Sequence, residues 1–402
     1  MRHTMKHDYD ILVIGAGPAG LAFAKAVSGL GLSIAVVEKG AEAGLAAPKP
    51  DGRDIALTHA SREALEKLGV WKHLPPAEIA PLKEARVLNG ASSYFLQFAE
   101  ARKPGEPLGC FVPNHIIRKA AYKTAKAAKD IHLLCGRTVK EVTAGKVTFA
   151  EGKPLHAQLV VAADSRFSET RRFSGISTRM LDFARVCIVA RVTHDKPHEQ
   201  VAYECFMGGM TLAVLPVRGK QSSIVLTLPA HEAEEVLQMQ PADFGAYIAE
   251  AFQHRLGKMK LAGERHSYPL ISVYANQFQA ERLALVGDAA VGMHPITAHG
   301  FNFGLRGAWT LAGEVRRALE LGLDIGSPEV LRRYERQHRK ATLPLYMATN
   351  ALVQLYTSES KPVRAVQDGL LRLGNRLSPV RNILMRRLTK PLHDLSVSRL
   401  AG

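Results

Sequence analysis

Gly15-Ala16-Gly17-Pro18-Ala19-Gly20 is the stretch of this 402-residue chain whose spacing points most directly to chemistry. It follows an apolar run at 10–14 and opens a helical pattern over 18–30, and a second apolar run, 33–38, ends in Glu38. Between a strand and a helix the three glycines have separate tasks. Gly15 permits the tight turn, Gly17 lets the backbone approach a pyrophosphate at the helix N-terminus, and Gly20 lets helix and strand pack closely. Glu38, 18 positions past Gly20, is placed to hold ribose hydroxyls and disfavours a 2′-phosphate. Ala19 within the turn and Lys39 after the acid are counted with them as cofactor contacts. This pattern alone fits NAD and FAD equally.

Two distant motifs favour a flavin. The apolar run 283–286 ends in Gly287-Asp288, followed by His294-Pro295 and by Ala298-His299-Gly300-Phe301-Asn302 ahead of a helical pattern. An aspartate at a strand end can accept a hydrogen bond from a ribityl hydroxyl. Backbone N–H groups at the start of the following helix can meet the anionic N1–C2=O edge of a reduced flavin. The run 159–163 leads in the same way into Asp164, with Ser168 and Arg171 beyond it. His294 and His299 lie five apart on a loop, a poor metal pair, and no metal is expected. His299 and Pro295 are the candidates for contact with flavin or substrate at the reacting centre; the other reading of His299 is a polar loop residue that only shapes the backbone. Tyr203 and Phe206 are expected either on the strand face that roofs a substrate pocket or in core packing alone.

With these residues the chain resembles the flavoprotein aromatic hydroxylases, the group of p-hydroxybenzoate hydroxylase, over nearly its whole length. The ADGxxSxxR motif of that family reads here Ala163-Asp164-Ser165-Arg166-Phe167-Ser168-Glu169-Thr170-Arg171, with Ser165 replacing glycine. The GDAAHxxxP motif reads Gly287-Asp288-Ala289-Ala290-Val291 with Pro295 after it, Val291 standing where histidine is common. Within the family the chain is most similar to the ubiquinone-biosynthesis branch of UbiH, UbiF, UbiI and UbiM. The markers are Arg53 to Leu57, Leu68 to Trp71, Ala202 to Met207, and His294 to Arg306. Most relatives carry G-Q-G where this chain has Ala298-His299-Gly300, and an aspartate where it has Gly307.

The resemblance implies an FAD-dependent monooxygenase that hydroxylates the ring of a polyprenylated phenol or quinol in ubiquinone biosynthesis. NAD(P)H or another reductant supplies electrons, and O₂ is captured as a C4a-hydroperoxyflavin. It adds Arg53 and Arg118 as contacts to the phosphate or ribityl region of FAD. It also implies a cytoplasmic enzyme, peripheral on the inner membrane face, with contacts to a complex of ubiquinone-biosynthesis proteins. Two other readings share the flavin motifs: a prenyl reductase of the geranylgeranyl type, and a non-catalytic flavoprotein subunit. The W-x-W-x-I-P signature of the halogenases is absent, Trp71 and Trp309 being far apart.

The elements that must position these residues follow from periodicity. The fold class expected is α/β: a Rossmann-type FAD-binding domain with an inserted antiparallel-sheet substrate domain and a helical C-terminus. The cofactor domain takes residues 1–75, 109–175 and 276–325, with helices over 61–68 and 114–129. The substrate domain takes 76–108 and 176–275, where runs at 186–192, 201–206, 211–216 and 222–228 alternate or stay apolar between turns. Residues 86–98 are expected as antiparallel strands. Residues 326–402 are expected to be helical.

Composition narrows the partners. The net charge is +16, which favours anionic surfaces, but no zinc-finger, RNA-recognition or basic-zipper motif accompanies it, and nucleic acid is not expected. Nine Lys/Arg between 361 and 399 share helical spacing with leucines, a pattern that can rest on anionic lipid. The apolar stretch 11–32 is broken by Pro18, Lys25 and the turn glycines Gly15, Gly17 and Gly20, and no run approaches the roughly 20 residues of a membrane span. Four scattered cysteines without a C-x-x-C pair point to a reducing compartment.

Overall fold

The computed structural model describes residues 7–89, 95–98, 106–295 and 298–357. The basic segment 361–399 lies outside them.

Tyr9–Ile14 and Ile34–Glu38 are neighbouring parallel strands, and Pro18–Val27 is the helix between them. Ile11, Leu12 and Val13 are fully buried. A strand covered on both faces has no use for polar alternation, so the sequence reads as a continuous apolar run. The sheet extends through Leu155–Ala162 to Leu283–Leu285 on one side and through Ile131–Cys135 on the other, all parallel. The glycine turn and Asp164 therefore follow adjacent strands, and the Gly287-Asp288 pair follows the next one out. All three motifs meet at the C-terminal edge of one sheet, where open α/β sheets bind their ligands.

The second sheet has nine strands and is antiparallel but for one pair. Thr178–His194 lies between His266–Ala275 and Gln221–Pro229, followed by Met210–Pro216 and Val201–Met207. Residues 86–98 depart from a purely antiparallel arrangement. Glu84–Asn89 is antiparallel to Phe95–Phe98 but runs parallel to Val201–Met207. A chain that leaves the sheet at 98 and returns after more than 70 residues is under no hairpin constraint, so either direction is open to it.

Two helices that the periodicity reading lacks, Ala230–Gln238 and Pro241–Ala251, cover one face of this sheet. Phe244, Ile248 and Phe252 form the core between them. A small three-stranded sheet of Asp54–Leu57, Gly109–Pro113 and Ala80–Leu82 adjoins both large ones. Gly300–Glu320 packs on the first helix, and Pro328–Thr357 packs on Gly300–Glu320.

The two large sheets share one short span of chain. Leu283–Leu285 belongs to the parallel sheet, and Val291–Gly292 pairs with His266–Ala275 of the other. Gly287 and Asp288 sit between them.

Candidate active site

A cavity of about 870 Å³ opens between the sheets. Its cofactor end is lined by Gly15, Gly17, Ala19, Glu38, Arg53, Arg118, Asp164, Gly287, Asp288, Pro295, Gly300 and Phe301. These are twelve of the sixteen residues singled out from the sequence. Gly20, Lys39, His299 and Asn302 are not on the wall.

Gly20 acts one layer back. A Cβ there would lie 2.1 Å from the carbonyl oxygen of Gly15, so helix and turn can meet only through glycine. Gly17 is different: its backbone is extended, and an added Cβ would meet no protein atom within 4 Å. That open backbone at a helix N-terminus is what a pyrophosphate requires. Glu38 receives the backbone N–H groups of Ala16 at 3.0 Å and Gly40 at 2.9 Å. Each oxygen keeps a lone pair for a ribose hydroxyl. Lys39 is exposed beyond it.

Asn302 holds the loop. Its amide donates to the carbonyls of Ala56 at 2.8 Å and Ala298 at 3.0 Å, and its oxygen accepts from Thr58 N–H at 3.2 Å. Ala298 is kept at a φ of +52°, a left-handed conformation that glycine adopts without strain. This is the position where the resemblance expects glycine. His299 caps the helix Gly300–Glu320 and its ring lies 6.0 Å from that of Phe303. It turns along the helix instead of into the cavity. Gly307, the other departure, is also off the cavity wall. His338 fills the space beside it, with Nε2 2.8 Å from where a Cβ would stand, so an aspartate there would collide with the ring.

Arg166, Arg171 and His294 have tasks at the site that the sequence did not assign to them. Arg166 donates to Asp288 at 3.3 Å and to the carbonyl of Ile271 at 3.1 Å, linking the cofactor loop to the second sheet. Arg171 is buried and donates to the carbonyls of Ala289 at 2.8 Å and Arg166 at 3.0 Å. The final arginine of that motif therefore ties two loops together and does not line the cavity. His294, considered from the sequence only as a poor metal ligand, lines the cavity against the ring of Phe183 at 4.8 Å. Burial, with Arg166 and Arg185 nearby, lowers its pKa to about 4, so it is neutral at pH 7. Among the described residues no group of His, Cys, Asp and Glu could hold a metal ion.

The far wall belongs to the antiparallel sheet, but not to Tyr203 or Phe206. Tyr203 packs edge-on against Phe252 at 5.1 Å, on the face the two helices cover. Phe206 is buried and off the wall. Glu204 lines the cavity instead, with Thr211, Ala213 and Leu215 of the next strand.

The residues fit FAD. Gly17 leaves the approach open for a pyrophosphate. Asp164 on the wall has a buried Oδ1 with no hydrogen-bond partner while its Oδ2 accepts from Thr170 N–H at 3.3 Å, which leaves an acceptor for a cofactor hydroxyl. Asp288→Ala should weaken FAD binding by about tenfold to a hundredfold, the worth of a charge-assisted hydrogen bond. Equilibrium dialysis against FAD measures it, and unchanged affinity would remove Asp288 from the site.

The comparisons with known proteins agree with this geometry. The family model described as an FAD binding domain matches residues 8–343. The ubiquinone hydroxylase UbiM of Neisseria meningitidis is 42% identical over 388 residues, covering 94% of this chain and 84% of that protein. The ubiquinone hydroxylase UbiL of Rhodospirillum rubrum is 33% identical over 381 residues, covering 94% and 88%. Among solved structures, p-nitrophenol 4-monooxygenase PnpA of Pseudomonas putida superposes with a TM-score of 0.75 at 18% identity, covering 97% of this chain and 99% of that one. The chain belongs to the FAD-binding family of flavoprotein hydroxylases, in the branch that holds the ubiquinone hydroxylases.

Proposed function

We propose that the protein is an FAD-dependent monooxygenase that hydroxylates the aromatic ring of a polyprenylated phenol or quinol in ubiquinone biosynthesis. The observation that carries this reading is one cavity running from the dinucleotide turn to a largely apolar sheet wall. At about 870 Å³ it is near the upper end of ordinary ligand pockets, with room for an aromatic ring beyond the cofactor. When bound, FAD supplies the redox chemistry, passing electrons from NAD(P)H or another reductant to O₂ and one oxygen atom to the ring.

The chain's own residues do the rest. Gly15, Gly17 and Ala19 give the pyrophosphate a backbone cradle, Glu38 holds the adenosine ribose, and Asp164 and Asp288 take cofactor hydroxyls. Arg53 and Arg118 bring positive charge to the phosphates. Gly300 and Phe301 open a helix whose N-terminus favours negative charge on the flavin edge. Pro295 shapes the loop that lines the cavity. Neutral His294 and the sheet wall exclude water, without which a reactive oxygen species is lost to side reactions. His299 and Asn302 set the loop's conformation from behind, and Lys39 and Gly20 support the cofactor end.

A net charge of +16 supports peripheral contact with an anionic membrane face, where a prenylated substrate resides, and four cysteines without a C-x-x-C pair support a cytoplasmic location. Among the described residues no helix is long and apolar enough to cross a membrane. Association with other enzymes of the same synthesis follows from a substrate too apolar to diffuse through water.

Oxygen uptake by the FAD-loaded protein with NAD(P)H or a chemical reductant should rise on adding a short-chain prenylated phenol, with mass spectrometry finding a product 16 Da heavier. Reduction of the prenyl double bond without oxygen uptake would identify a reductase instead.

A further inference from the structure

The wall opposite the cofactor presents Ala213, Leu215 and Val225, the hydroxyls of Thr211 and Thr227, and the carboxyl group of Glu204; Asp54, also on the cavity, is paired with Arg191 at 2.8 Å. Glu204 sits in the middle of Val201–Met207, paired on one side with Ala213 and on the other with Val87. Strand alternation fixes its direction, because Tyr203 and Cys205 on either side belong to the helix-covered core. The polar neighbour acting on it is the Thr211 hydroxyl, and no cation pairs with it among the described residues. A carboxyl in such a wall is costly unless a ligand uses it.

We propose that Glu204 anchors the substrate ring, through hydrogen bonds to the ring oxygen atoms of an uncharged oxygenated aromatic. The inference rests on the hydroxylase reading and names what that site recognises. An arginine or lysine on this wall would call for a carboxylated ring; a carboxyl calls for hydroxyl, alkoxy or carbonyl oxygens.

Burial pushes the Glu204 carboxyl up to about 8, with the Thr211 hydroxyl working in the other direction. At pH 7 it therefore keeps its proton, donating O–H to an ether or carbonyl oxygen and accepting from a hydroxyl with its C=O. Ionisation above pH 8 removes the donor and leaves the acceptor. Among the titratable groups on the same cavity, burial pushes the Cys187 thiol up to about 12, raises the Tyr268 phenol and lowers His294 to about 4; burial also raises Asp54, against the pull of its partner Arg191. Arg53 lies over the Tyr268 ring and is paired with Asp51, and Arg118 and Arg166 line the cofactor end.

The test is calorimetric titration of the FAD-loaded wild type, Glu204→Gln and Glu204→Leu with 2-prenylanisole, 2-prenylphenol and prenylbenzene. At pH 7 the wild type should bind both oxygenated probes about tenfold more tightly than prenylbenzene, the worth of one good hydrogen bond. Glu204→Leu should lose that margin while keeping the flavin spectrum. Glu204→Gln, which donates and accepts at every pH, should keep it. Between pH 7 and 9.5 the wild type should lose its margin for the anisole, which only accepts, and hold it for the phenol; the glutamine variant should stay flat. A margin that survives in Glu204→Leu, or wild-type anisole binding that ignores pH, overturns the proposal. If the leucine variant does not fold, the contrast in pH dependence between wild type and Glu204→Gln decides alone. A wild type that takes up no FAD would sink the hydroxylase reading instead, and the two failures are distinguishable on sight.

Discussion

Gly17→Val should yield a folded protein that no longer retains FAD. The backbone at Gly17 is extended, at φ −71° and ψ 172°, so a branched residue adopts it without strain. No protein atom lies within 4 Å of the position an added Cβ would take, and Gly17 lines the cavity. The valine methyls therefore enter the volume reserved for a pyrophosphate, at the N-terminus of Pro18–Val27. Affinity for FAD should fall by about a hundredfold or more, equivalent to roughly 3 kcal/mol. Unfolding of the apoprotein should move by no more than about 0.5 kcal/mol. Flavin fluorescence titration and a urea melt of the same preparation measure the two quantities. Normal FAD affinity would mean that the turn does not meet the cofactor.

Gly15→Ala, two residues earlier in the same motif, should have the opposite signature. Gly15 has a φ of +105°, and its Cβ would lie 2.5 Å from the carbonyl oxygen of Ala163 and 2.8 Å from the carbonyl carbon. Both are backbone atoms just past Leu155–Ala162, a strand fully buried over Leu159–Ala162, so nothing flexible is available to give way. Backbone strain and overlap together should cost roughly 3 kcal/mol or more, a large share of an ordinary domain stability of about 5–15 kcal/mol. The apoprotein itself should unfold at markedly lower urea, before any question of cofactor arises. A Gly15→Ala protein as stable as the wild type without FAD would contradict the packing described for the turn.

The cofactor end was legible because its physics is local. A glycine with positive φ, an open backbone at a helix N-terminus and an acid at a strand end each leave a mark within a few residues, and a parallel sheet brings strand ends together. For His299 the sequence left open a contact with flavin or substrate and a role in shaping the loop, because a residue type on a loop does not reveal which way the loop turns. That direction is fixed by Asn302, which reaches back to Ala56 and Thr58, more than 240 positions away in sequence. Tyr203 lies one step of alternation from the cavity-lining Glu204, while Phe206, two positions from Glu204, is buried off the wall. Val201–Met207 carries apolar residues on both faces, with Glu204 on one of them, and its pattern does not say which face is roofed by protein. Ala230–Gln238 and Pro241–Ala251, absent from the periodicity reading, take the Tyr203 face, and the cavity is left with Glu204. Arg171 was legible as a motif member, but its task of binding the carbonyl of Ala289 depends on the folded contact between two loops.

The order in which the parallel sheet is completed sets when the cofactor can load. Once synthesised, Leu155–Ala162 has its partner Tyr9–Ile14 already available, but the partner of its other edge, Leu283–Leu285, comes roughly 120 residues later. At synthesis rates of about 5–20 residues per second, that edge stays open for on the order of ten seconds. During this interval the strands between Thr178 and Pro229 can pair with one another, since their contacts are mostly with near neighbours in sequence. The open edge of Leu155–Ala162 is meanwhile the surface most exposed to mispairing. Asp288 and the Gly300 helix arrive only after the edge is closed. The nascent chain therefore holds half of a nucleotide site while its substrate wall is already being built, and flavin capture belongs to the last stage of synthesis.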